Sequence, residues 1–209
     1  MEIKNHYFEA LDLIGELMIF MFKNLKTRYA RELGVIDEQY PFEEFKCADP
    51  VFKLNFKEGI KLLHEAGIAQ EPLEDLSTDT EKALGRIVKE KYDTDFYMLY
   101  GYPVNARPFY TMIDPHDSNY TNSYDFFMRG EEITSGAQRI HDPEFLTKRA
   151  KECGIAIDTI KDYIDSFKYG APAHAGAGFG LERIVKFFCN LHNIRKTSLF
   201  PRDPRRLTP

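Results

Sequence analysis

Two segments hold the residue types that do chemistry. The first runs Ser123-Tyr-Asp-Phe-Phe-Met-Arg-Gly-Glu-Glu-Ile-Thr-Ser-Gly-Ala-Gln-Arg-Ile-His141. Arg129-Gly130 reads as a two-residue hairpin turn, which pairs Met128 with Glu131, Phe127 with Glu132 and Asp125 with Thr134. Paired residues share a face of the sheet, as do residues two apart on one strand. Asp125 and Glu132 therefore fall on one face, and Phe126, Met128 and Ile133 on the other. Two carboxylates on a rigid sheet hold Mg²⁺ against phosphates, or act as acid and base. A solvated sheet face gives the same pattern. Ser135 and Arg139 continue the second strand. An arginine on a sheet floor offers a planar fork to a carboxylate; a surface ion pair is the other reading.

The second segment is Pro172-Ala-His-Ala-Gly-Ala-Gly-Phe-Gly-Leu-Glu-Arg183. Alternating Gly176, Gly178 and Gly180 leave one face of a strand bare, so a planar or phosphorylated ligand can approach the backbone. A tight turn explains the glycines equally well. The spacing is neither the dinucleotide fingerprint nor the phosphate loop of nucleotide hydrolases. Arg183 falls in the first turn of the following helix, against the helix dipole, which suggests a task. The six histidines show no metal-ligand spacing. His174, beside the glycines, reads as a loop histidine in hydrogen bonds. The tail Phe200–Pro209 carries three arginines, suited to RNA or to capping the last helix.

The elements that must position these residues follow from periodicity. Tyr7, Leu11, Ile14, Met18, Met21 and Leu25 mark an amphipathic helix from about His6 to Leu33, ended by Gly34. Val51–Phe56 reads as a strand and Glu58–Glu65 as a helix stopped at Gly67. Thr78-Asp-Thr-Glu81 is a capping box for a helix to about Lys91. Phe96–Leu99, Phe109–Ile113, Tyr124–Met128 and Glu132–Ile140 read as strands, and Pro115–Asn122 as a polar loop. Asp142-Pro143 starts a helix that ends at Gly154, and Asp158 one that ends near Gly170. Ala171–Gly180 reads as a Gly/Pro loop and Leu181–Leu191 as an apolar helix. The spacing does not suit repeated βαβ units, so the fold class is α+β, an antiparallel sheet flanked by helices.

The chain has 209 residues, 43% hydrophobic and 29% charged, with net charge −5. That excludes a disordered or collagen-like chain. It also excludes binding to nucleic acid by bulk charge, so any RNA contact needs a local basic patch. Leu11–Phe22 is interrupted by Asp12 and Glu16 and is too short to span a bilayer. The N-terminus is no signal peptide. Cys47, Cys153 and Cys189 lack metal spacing and read as reduced thiols of a cytosolic protein.

Gly178-Phe-Gly-Leu-Glu-Arg183 with its apolar helix resembles motif 3 of the class II aminoacyl-tRNA synthetases. Ser123–His141, Lys91–Tyr97, Arg107–Thr111 and the ending Phe200–Pro209 resemble the eukaryotic cytosolic aspartyl type of that family, and the likeness covers nearly the whole chain. The resemblance implies a class II catalytic fold and ATP-dependent activation of L-aspartate, followed by transfer to tRNA(Asp). It implies that Asp125 and Glu132 hold Mg²⁺. It implies that Ser135 and Arg139 face aspartate. Glu132, Gly180, Leu181, Glu182 and Arg183 would line the ATP site, with Arg183 and Glu132 catalytic. It further implies a cytoplasmic homodimer in the full-length protein.

Motif 1, motif 2 with its phosphate-gripping arginine, a loop lysine for the substrate carboxylate and the anticodon-binding domain find no match. Residues 1–209 are therefore expected to be the C-terminal portion of the catalytic domain, inactive in isolation. The alternatives are a non-catalytic synthetase-derived binding fragment and a sister enzyme that amidates aspartate.

Overall fold

The computed structural model describes residues 1–208. Its centre is a five-stranded sheet in the order β1-β2-β3-β4-β5. The strands are β1 (Phe52–Asn55), β2 (Phe96–Tyr100), β3 (Ser123–Met128), β4 (Glu131–Arg139) and β5 (His174–Phe179). β2 to β5 pair antiparallel, as expected, but β1 joins β2 in parallel. The parallel pair needs a long crossover. α3 (Phe56–Glu65) and α4 (Thr78–Tyr92) supply it.

Both faces of the sheet are covered. On one, Leu11, Met18 and Phe22 of α1 (Phe8–Arg28) and Ile184 and Phe187 of α7 (Leu181–Phe188) pack on Phe96, Phe126, Met128 and Ile133. On the other, Ile60 and Leu63 of α3 and Leu84 and Val88 of α4 pack on Tyr97, Leu99 and Phe127. All six residues of β3 are consequently buried, as befits a strand covered on both faces. α5 (Pro143–Glu152) and α6 (Lys161–Phe167) form a smaller cluster of Leu146, Ile164, Phe167 and Ile140 beyond the end of β4.

Local chemistry sets most boundaries. Asn55 caps α3 in a capping box with Glu58. Asp142 caps α5 through the Phe145 N–H, with Pro143 in the first turn. Gly67, Gly154 and Gly170 take positive φ after their helices.

Four expectations need correction. The first helix ends at Arg28, and α2 (Ala30–Gln39) follows after Tyr29; Gly34 lies inside α2 and ends nothing. Ser77, not Thr78, caps α4, its Oγ accepting from the Thr80 N–H at 3.2 Å. Phe109–Ile113 is no strand; it lies along β4 by backbone hydrogen bonds from Met112 to Gln138 and from Ile140 to Tyr110, both 2.9 Å. Most of the expected loop Ala171–Gly180 is β5, whose first residues also pair with residues 1–3.

The three cysteines are free thiols. Among the described residues, no helix is long and apolar enough to cross a membrane.

Candidate active site

The β3–β4 hairpin turns at Arg129 (φ 51°) and Gly130 (φ 78°), the left-handed pair such a turn requires. Met128 opposes Glu131 and Phe127 opposes Glu132, as expected. The register then slips: a β-bulge sets Phe126 against Thr134 and Asp125 against Ser135. The expected pairing of Asp125 with Thr134 is thus corrected by one residue. The physical consequence is large, because an unbroken ladder would send Ser135 and Arg139 to the face opposite Asp125. The bulge puts Asp125, Glu132, Ser135 and Arg139 on one face.

β5 completes that face. Ser135 opposes Gly178, Ala137 opposes Gly176, and Arg139 opposes His174. Nothing lies within 4 Å of a Cβ built on Gly176 or Gly178. The glycines therefore leave a bare wall beside Ser135 and Arg139. A cavity of about 450 Å³ occupies the space, lined by Arg107, Tyr110, Ser135, Arg139, His174 and Gly178 among others. The Arg139 guanidinium lies 4.5 Å over the Tyr110 ring, and Nη1 donates to Tyr163 Oη at 3.3 Å. Among the described residues it has no carboxylate partner. Its fork is open to a ligand anion. His174 Nδ1 lies 2.8 Å from the Pro172 carbonyl oxygen; the histidine is hydrogen-bonded as expected, but it opens strand β5 rather than lying in a loop.

Arg107 is the group that sequence reasoning missed. Nη2 donates to Asp125 Oδ2 at 2.6 Å, and Nη1 donates to Ser135 Oγ at 3.0 Å. The guanidinium carbon sits 3.9 Å from the Tyr102 ring centre. Arg107 follows a short 3₁₀ turn in an irregular segment, so no periodicity marked it.

Glu81 was missed too, because the capping-box reading occupied it. With Ser77 as the cap, Glu81 turns toward the sheet carboxylates. Burial, and then the charge of Glu132, push its pKa up to about 7. Glu132 is raised by burial and then by Asp125. Asp125, Glu132 and Glu81 thus form a negative cluster, relieved by Arg107 and by Arg183, whose charge opposes the rise at both glutamates.

The motif around α7 sits to one side. Gly180 caps the helix and packs on the Arg183 side chain. Leu181, Glu182 and Arg183 are exposed and do not line the 450 Å³ cavity. The charge of Arg183 is felt at Glu132, where it opposes the rise in pKa.

Mg²⁺ commonly takes one or two protein carboxylates and completes its shell with water and phosphate. Asp125 fits that use: Oδ2 is held by Arg107, while Oδ1 is buried with no partner. Among the described residues, no three His, Cys, Asp or Glu side chains form a cage for a metal by themselves.

One face of the mixed sheet thus carries an arginine-floored cavity, a glycine wall and paired carboxylates. The family model for tRNA synthetases class II (D, K and N) matches residues 1–204, and the chain belongs to that family. Its curated relatives include the cytoplasmic aspartate–tRNA ligase 1 of Arabidopsis thaliana, 58% identical over all of this chain and 39% of its own length. The cytoplasmic aspartate–tRNA ligase of Homo sapiens is 54% identical, over 42% of its length. The solved aspartyl tRNA synthetase from Entamoeba histolytica matches with a TM-score of 0.97 and 51% identity, over 100% of this chain and 43% of that one. The chain thus spans about two fifths of the length of these relatives.

Proposed function

We propose that residues 1–209 are the C-terminal portion of the catalytic domain of an aspartate–tRNA ligase. As part of a longer, cytoplasmic, homodimeric protein they would activate L-aspartate with ATP and pass it to tRNA(Asp). The observation that carries this reading is the Arg139 fork, without a carboxylate partner among the described residues, beside the bare Gly176–Gly178 wall and on the same face as Asp125 and Glu132.

Arg139 binds the side-chain carboxylate of aspartate, and Ser135 hydrogen-bonds the same substrate. This fixes the α-carboxylate for attack on the α-phosphate of ATP, with pyrophosphate leaving. Such chemistry rests on positioning and on neutralising charge. Asp125 and Glu132 would hold Mg²⁺, which when bound neutralises phosphate charge. Gly180, Leu181 and Glu182 flank the nucleotide, and Arg183 stacks on the adenine. Residues 1–209 alone are expected not to charge tRNA, since they span only about two fifths of the length of the aspartate–tRNA ligases they match.

The test is aspartate-dependent exchange of pyrophosphate into ATP by the full-length protein. Exchange with aspartate but not asparagine supports the reading. Exchange with neither, or with asparagine alone, overturns it.

A further inference from the structure

One guanidinium spans the two halves of the site. The bulge sets Asp125 directly opposite Ser135. Arg107 then contacts both at once, with Nη2 on Asp125 Oδ2 and Nη1 on Ser135 Oγ. Its side chain is only 11% exposed and is clamped on Tyr102. The two terminal nitrogens of a guanidinium are fixed relative to each other, so the fork fixes the carboxylate relative to the hydroxyl. Arg107 engages one oxygen of Asp125 and leaves the other, buried and unpartnered, to face a cation. It also takes up the Ser135 hydroxyl as an acceptor, which leaves the hydroxyl proton free to donate to a substrate.

We infer that Arg107 is a positioning residue that couples the amino-acid pocket, through Ser135, to the cation-facing carboxylate of Asp125. The inference rests on the aspartate-activating reading above. Arg107 spends both terminal nitrogens on protein groups in this arrangement. It acts by holding two side chains at a set separation, as outer-shell partners hold metal ligands. A lysine cannot replace it: a single ammonium on a flexible stem carries the charge but not the rigid two-point fork. A merely structural cation would be rescued by that lysine; a positioning fork would not.

The experiment uses the full-length protein, with Arg107→Lys and Ser135→Ala variants. Three quantities are read: the KM for aspartate in pyrophosphate exchange, the Kd for Mn²⁺ from the free-ion electron paramagnetic resonance signal, and the thermal midpoint. In Arg107→Lys, both the aspartate KM and the Mn²⁺ Kd should rise about tenfold or more, as for loss of an outer-shell partner. The midpoint should stay within a few degrees. In Ser135→Ala, the Mn²⁺ Kd should rise by about threefold or more, the low end of coupling between contacting residues, although Ser135 itself meets no cation. Either parameter unchanged in Arg107→Lys overturns the inference while leaving the functional reading intact. Should Arg107→Lys fail to fold, Ser135→Ala decides alone, and an unchanged Mn²⁺ Kd there overturns it. A wild-type protein that neither binds Mn²⁺ nor supports exchange overturns the functional reading, and this inference with it.

Discussion

Gly85 on α4 and Gly130 in the β3–β4 turn meet backbone to backbone. A Cβ built on Gly85 would lie 2.3 Å from the Cα of Gly130, and one built on Gly130 would lie 3.4 Å from the Cα of Gly85. Glu81 stands one helical turn before Gly85, and Glu132 two residues after Gly130. The glycine contact therefore sets how close the two carboxylates come. Alanine in a helix interior is worth about 1 kcal/mol over glycine. Overpacking against unyielding backbone costs about 1–3 kcal/mol, so the clash should win. Gly85→Ala should lower stability in urea unfolding, and a more stable variant would show that α4 moves freely over the turn.

The glycines of β4 and β5 should respond in opposite ways. A Cβ on Gly136 would enter the Tyr124 ring, whose hydroxyl donates to the Gly176 carbonyl at 3.1 Å. Gly136→Ala should cost about 1–3 kcal/mol. Gly178→Ala meets open space and should leave the fold as stable or slightly more so, by about 0.5 kcal/mol. It should nonetheless weaken substrate binding, because the methyl group fills the wall the ligand approaches. Thermal unfolding together with the KM values for aspartate and ATP separates the two effects. Unchanged KM values in Gly178→Ala would mean that no ligand rests on that wall.

Arg139 should decide for aspartate over asparagine. An amide gives the fork a single acceptor and leaves donors unpaired. Arg139→Leu in the full-length protein should cut aspartate activation by roughly two orders of magnitude, since a charge-assisted pair is worth about 3 kcal/mol. Near-normal aspartate-dependent exchange in that variant would refute the role.

Glu81 makes stability depend on pH. Its folded pKa of about 7 lies above the ordinary 4.5, so the folded state binds the proton more tightly than the unfolded state. The resulting stability is present in full below about pH 4.5 and is lost as pH rises through 7. Glu81→Gln removes the dependence. One pKa unit is about 1.4 kcal/mol, and partial solvent access reduces the total, so the variant should gain about 1–2 kcal/mol over wild type at pH 8. At pH 4.5 the two should be close. Urea unfolding at both pH values checks the sign, and an equal gain at both would assign the effect to packing.

Hairpins and caps were legible in the sequence because their signals are local. Arg129-Gly130 needed only a left-handed turn, and Asp142-Pro143 only a cap and a first-turn proline. The face shared by Asp125 and Glu132 followed from two-residue parity near the turn. Farther from the turn the same parity failed, because the bulge has no signature in Glu-Ile-Thr-Ser. Arg107 and Glu81 stayed hidden for another reason. Each reaches the site through tertiary placement of an irregular segment or a helix end. The break at Tyr29 was equally silent, since the apolar spacing runs through it.

The strands lie side by side in the order in which the chain makes them. A polypeptide leaving the ribosome therefore finds each partner already laid down, and no late strand must wedge between two earlier ones. Assembly can advance by accretion from β1 outward. Arg107, Ser135 and Arg139 have all emerged before the glycine wall arrives. A nascent chain halted before Pro172 would hold most of its sheet with one side of the pocket missing. A ligand that rests on Gly176 and Gly178 would find its wall only once synthesis has passed β5.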